Sequence, residues 1–99
     1  LQQWQIFDFG ISLAESAMTS VYSTEYQLVI KILRDARIEK GITQTKLAEA
    51  LGRPQSFIAK VENGERKLDV VEFAVMARLL GVDAGAVLEM IGGRVGKLV

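Results

Sequence analysis

Residues 43 to 64, TQTKLAEALGRPQSFIAKVENG, constrain this chain more than any other stretch. One short run carries Leu47, Ala48 and Leu51 at helical spacing and stops at Gly52. A second turns Ile58 and Val61 inward and stops at Asn63-Gly64. Gly52, Arg53 and Pro54 between them mark a tight turn. Two short helices joined in this way make a helix-turn-helix arrangement. Ala48 has to be small where the two helices cross, and Gly52 suits a turn that needs positive φ.

The flanks extend the helical pattern. Residues 24–40, TEYQLVIKILRDARIEK, place Leu28, Val29, Ile32, Leu33 and Ala36 on one stripe, with Lys31, Arg34, Arg37 and Lys40 mostly off it. Gly41 supplies a left-handed residue to end that helix, and Thr43 can cap the next with its hydroxyl. Asp69 and Glu72 form a D-x-x-E capping box, with Leu68 and Phe73 as its hydrophobic staple. Val70, Phe73, Ala74, Ala77 and Leu80 continue an inward face that Gly81 ends. Asp83 caps a last helix stapled by Val82 and Val87, which runs through Leu88, Met90 and Ile91 until Gly92-Gly93 terminates it. The pattern predicts an all-α fold of five helices, with the helix-turn-helix at the second and third.

A chain of 99 residues, 49% of them hydrophobic, supports one domain with a small core. There is no Cys, which excludes disulfides, thiolate metal sites and Cys nucleophiles. There is no His, the commonest general base and metal ligand. The carboxylate pair Asp69/Glu72 is explained by capping, and no metal or nucleotide motif is present, so neither a cofactor nor an enzyme is expected. Net charge is zero, but residues 31–67 hold nine Lys and Arg against five Asp and Glu. Screening over roughly 8 Å makes that local surplus the relevant one for attracting phosphates.

Three segments are expected: an N-terminal extension over residues 1–23, a helical domain over 24–91 and a tail over 92–99. The extension carries Trp4, Ile6, Phe7, Phe9, Ile11 and Leu13, with a hint of a strand at Ile6–Phe9 and of a helix turn at Ile11–Met18. It reads either as a non-native stretch ahead of a start at Met18 or as an apolar interface segment. No apolar run approaches the roughly 18–20 residues that span a bilayer. The start LQQWQIFDFG lacks the basic n-region of a signal peptide. The expected compartment is the cytoplasm.

Residues 30–91 closely resemble the Xre/Cro-type helix-turn-helix regulators, which include the small phage repressors. Arg37, Gly41, Thr43, Gln44, Leu47, Ala48, Leu51 and Gly52 carry the likeness, followed by Gln55, Ser56, Ile58, Lys60, Glu62, Asn63 and Gly64, and then Leu79, Leu80, Gly81 and Val82. A bacterial subgroup is similar over Arg53 to Phe57 (R-P-Q-S-F) and Gly64 to Asp69. Many relatives place Ser or Thr where Pro54 stands. Pro cannot cap with a hydroxyl, although its φ suits a helix start, so where the reading helix begins is left open.

The resemblance implies a lambda-repressor-like DNA-binding domain whose third helix enters the major groove. It makes Gln55, Ser56 and Lys60 the base readers, and their chemistry fits: Gln pairs with adenine, Lys with guanine, Ser with several base edges. Phe57 is expected to face outward between them, where it could meet a thymine methyl; the alternative is a partly buried neighbour of the preceding helix. Gln44 is implied to touch a backbone phosphate. Arg53, Asn63, Arg66 and Lys67 in the flanking turns could hold phosphates or be solvated surface groups. Arg37 and Glu62 match a pair that forms an internal salt bridge in phage repressors.

Relatives usually bind two half-sites of a palindromic operator as two-fold dimers. Val87, Met90, Ile91 and Val95, with Leu98 beyond, offer an apolar surface for a homodimer, joined in one version by residues 4–13. The function implied is a sequence-specific transcriptional regulator, a dimeric repressor binding double-stranded DNA. The alternative is a protein-interaction module, or an antitoxin or restriction–modification controller component, with a protein partner and weak or autoregulatory DNA binding.

Overall fold

A computed structural model describes residues 23–95, with the side chains of residues 23–93. The expectations placed on residues 1–22 and on the tail beyond Val95 lie outside the described residues. Five helices follow in order: α1 (Thr24–Glu39), α2 (Gln44–Leu51), α3 (Gln55–Glu62), α4 (Val70–Leu80) and α5 (Ala84–Val95). No strand occurs among the described residues.

Local chemistry accounts for most of the boundaries. Ser23 Oγ accepts the Tyr26 N–H and starts α1; Thr43 Oγ1 accepts the Lys46 N–H and starts α2. α2 ends at Gly52, whose φ of 71° is strained for any residue with a Cβ. The Arg53 N–H then reaches back to the Ala48 carbonyl at 2.9 Å, which folds the chain into the turn between the two motif helices. The capping box of α4 is complete in both directions, Glu72 N–H to Asp69 Oδ1 at 2.7 Å and Asp69 N–H to Glu72 Oε1 at 2.9 Å. Asp83 Oδ1 accepts the Ala86 N–H at the start of α5. Pro54 stands just ahead of α3 with φ −66° and makes no side-chain cap, so the helix starts at Gln55.

One core joins all five helices. Val29, Ile30 and Leu33 from α1 meet Leu47 and Ala48 from α2, Phe57, Ile58 and Val61 from α3, Phe73, Met76, Ala77 and Leu80 from α4, and Val87 from α5. Tyr26 fastens the connection between α3 and α4: its hydroxyl accepts the Leu68 N–H at 3.0 Å and lies 3.5 Å from the Arg66 carbonyl. Burial is the main reason its pKa is raised.

Four expectations need correction. Val70 and Ala74 point to solvent rather than inward, Val70 with 70% of its surface exposed. On a 3.6-residue period the buried arc of α4 is centred on Phe73, Met76, Ala77 and Leu80, and Val70 and Ala74 fall beyond its edge. Gly92-Gly93 does not end α5, which continues to Val95 across the expected 91/92 boundary. Neither glycine adopts positive φ, and a glycine that keeps helical φ weakens a helix without stopping it. Val87 is 6% exposed and belongs to the core rather than to an outer surface. Phe57 is the fourth and belongs to the interface.

Candidate nucleic-acid interface

α3 divides its side chains sharply. Phe57, Ile58 and Val61 are buried, while Gln55, Ser56 and Lys60 are exposed along one edge. The division follows from the three-to-four spacing of the apolar positions. With no hydroxyl on Pro54, the first-turn amides of α3 keep no side-chain acceptor. The leading edge thus presents two amide or hydroxyl groups, a cationic side chain one turn on, and helix amides suited to an anion.

Phe57 does not face outward as expected. It is 7% exposed, and two guanidinium groups cover its ring, Arg53 Cζ at 4.3 Å and Arg66 Cζ at 5.0 Å from the centroid. Such stacking uses the negative face of the ring to hold both cations. The ring therefore supports its neighbours from beneath, and no part of it lies on the exposed edge with Gln55 and Lys60.

Arg53 and Arg66 also converge on Glu72, at 2.6 and 3.2 Å. Arg66 donates in addition to the Lys67 carbonyl. The Asp69 backbone N–H, with Arg53 and Arg66 beside it, holds the Glu72 carboxyl below the usual carboxylate range. The sequence marks Glu72 only as a capping residue. Its role as the hub of two arginines arises because α4 begins beside the turn before α3. Both arginines stay part-exposed. Lys60, Asn63 and Lys67 are exposed, Asn63 closing α3 through its N–H to the Ala59 carbonyl.

On the opposite flank a second network runs inward. Arg37 grips Glu62 with two bonds, Nε to Oε2 at 2.6 Å and Nη2 to Oε1 at 3.0 Å, and donates a third to the Ile42 carbonyl at 2.7 Å. The two side chains are 11% and 5% exposed. Gln44 Nε2 donates to Glu62 Oε1 at 2.9 Å, and Gln55 Nε2 donates to Gln44 Oε1 at 2.7 Å. Arg34, which the sequence placed merely off the apolar stripe, approaches the same carboxylate at 4.0 Å. Gln44 and Gln55, eleven residues apart, thus stand side by side at the starts of α2 and α3.

The fold and this face define a class. A family model described as Helix-turn-helix matches residues 33–86. The solved structure of an XRE-family like protein from Pseudomonas syringae pv. tomato str. DC3000 is 41% identical, with a TM-score of 0.72, and the match covers 86% of this chain and all of that one. No curated protein matches. The chain belongs to the XRE family of helix-turn-helix proteins, and its fold is that of a DNA-binding transcription regulator. No described helix is long and apolar enough to cross a membrane.

Proposed function

We propose that this chain is a sequence-specific transcriptional repressor that reads the major groove with α3 and acts as a homodimer on a palindromic operator in the cytoplasm. The carrying observation is the exposed edge of Gln55, Ser56 and Lys60 on a helix whose other face is locked into the core. Gln44 stands beside Gln55, where it can reach a phosphate. Arg53 and Arg66 can exchange Glu72 for phosphate oxygens, and Asn63 and Lys67 add polar contacts in the following turn. The dimer surface is Met90 and Ile91, with Leu88 in place of the buried Val87. A cleft of about 240 Å³ lined by Leu68, Val70, Phe73, Leu88 and Ile91 supports that choice, being almost wholly apolar. Val95 lies on the same helix by its backbone.

One observation favours a second reading, a protein-interaction module such as an antitoxin or controller component. Val70, Val71, Val75 and Leu79 leave much of the outer face of α4 apolar around Arg78, and an exposed apolar patch of this kind marks an interaction surface. Selecting bound fragments from a random DNA pool separates the two. A repressor yields a two-fold symmetric consensus whose binding weakens steeply with salt through counterion release. Recovery of unrelated sequences with weak binding at low salt would leave the interaction module as the better account.

A further inference from the structure

The outer face of α4 sets one charge in a field of apolar side chains. On a 3.6-residue period Val70, Val71, Ala74, Val75, Arg78 and Leu79 share one arc, opposite the buried Phe73, Met76, Ala77 and Leu80. All six are exposed, Val71 with 67% of its surface. Arg78 alone is charged, and among the described residues it makes no ion pair. The carboxylates in the first turn of α4 are already engaged, Asp69 in the capping box and Glu72 in the box and by Arg53 and Arg66. A groove of about 330 Å³ runs along one edge of this face, where Val71 and Val75 look across to Ala50 and Leu51 of α2.

We infer that residues 4–9 of the same chain, WQIFDF, cover this face, with Asp8 set against Arg78. The two surfaces are complementary: Trp4, Ile6, Phe7 and Phe9 surround one acid as the α4 side chains surround one base. Residues 1–22 hold the acids Asp8 and Glu15 and no Lys or Arg, so the signs agree along the whole segment. Aromatic side chains bury roughly 150–250 Å² each where they find cover, and the groove beside Val71 gives them a concave seat. The connection is close at hand. Ser23 caps the amide of Tyr26, whose hydroxyl accepts the Leu68 N–H just ahead of α4, so the segment joins the domain beside the start of that helix. The chain from Asp8 to Ser23 spans over roughly 20 Å even as a helix and roughly 50 Å extended, against roughly 16 Å for the length of α4.

A second copy fits the face less well. A two-fold contact sets the same patch against itself. It would bring a guanidinium to each side with no carboxylate on the arc to answer it. Cover by residues 4–9 supplies both the apolar area and the missing anion. It also gives the outer face of α4 a partner within the chain, without an outside protein.

Trp4 is the only tryptophan of the chain, so its fluorescence reports on this segment alone. In the whole wild-type protein its emission should lie to the blue of a solvent-exposed tryptophan, and acrylamide should quench it severalfold less, equally at low and high micromolar protein. Val71→Asp combined with Val75→Asp should return both signals to the exposed values. Far-UV circular dichroism should keep its helical signal, because neither side chain belongs to the core. Arg78→Asp and Asp8→Arg should each weaken the shielding, and the two together should restore it, since the exchange reinstates an opposite-charge pair. An exposed Trp4 in the wild type, or a shielded one blind to every α4 substitution, would overturn the inference. Shielding lost on dilution would overturn it too and give the face to a second copy. A double variant as exposed as the single ones would overturn the pairing of Asp8 with Arg78.

Discussion

Two charged networks flank α3, and they differ in how much water reaches them. On one side Glu62 and Arg37 are almost wholly enclosed and every bond is made within the protein. On the other, Glu72 gathers Arg53 and Arg66, whose side chains remain 39% and 42% exposed. The ions are alike, but the first pair is closed to solvent while the arginines of the second can trade Glu72 for water. Burial thus makes one network a fixed frame for the amides at the starts of α2 and α3, and exposure makes the other a reserve of exchangeable charge.

The contrast can be broken experimentally. Arg37→Met should cost the most, roughly 3–5 kcal/mol in urea unfolding, because it leaves the buried Glu62 carboxylate with only the Gln44 amide and the more distant, half-exposed Arg34. A loss below about 1 kcal/mol would show that water reaches the pair and would erase the distinction. Glu72→Ala should cost about 1–2 kcal/mol, mainly from the lost capping box, with the arginines turning to solvent. If it matched Arg37→Met, the two networks would be energetically equivalent.

Acid sharpens the comparison further. The folded protein holds the Glu72 pKa below its unfolded value, chiefly through the Asp69 N–H and then Arg53 and Arg66. The folded state therefore binds fewer protons there, so this stabilisation is present above about pH 4.3 and fades as pH falls through the depressed folded value. Glu72→Gln keeps an acceptor for the capping box but removes the charge. Its melting temperature should lie below that of the wild type at neutral pH, and the two should converge in acid. A gap that persists unchanged to pH 2 would rule out the charge as its source. The smallest effect belongs to Lys31 and Asp35, 2.6 Å apart but 71% and 51% exposed: Lys31→Ala should shift stability by no more than about 0.5 kcal/mol.

Much of the helical layout was legible because its signals are local. Thr43, the Asp69/Glu72 box and Asp83 start helices by reaching three residues ahead, and Gly52 and Gly81 end them through positive φ. These contacts need no knowledge of the rest of the chain. Phe57 was misplaced for the opposite reason. In the sequence it sits among polar groups, Gln55, Ser56 and Lys60, but two arginines from separate turns close over its ring. Val70 lies inside a complete capping box yet leans to solvent, because the angle at which α4 packs decides which of its apolar positions are enclosed. The local pattern leaves Val87 on the outer surface of α5, and only the way that helix lies against the core encloses it.

The order of residues by itself determined five helices, most of the caps and glycines that bound them, and a short motif whose second helix, α3, must turn Ile58 and Val61 inward. Only tertiary structure decided that Gln44 and Gln55 share a hydrogen bond, that Glu62 stands behind them, and that Glu72 collects Arg53 and Arg66. Helix starts and stops rest on bonds spanning three or four positions, which the chain writes locally. These networks join side chains from 6 to 28 positions apart, so they exist only once packing has brought their helices together.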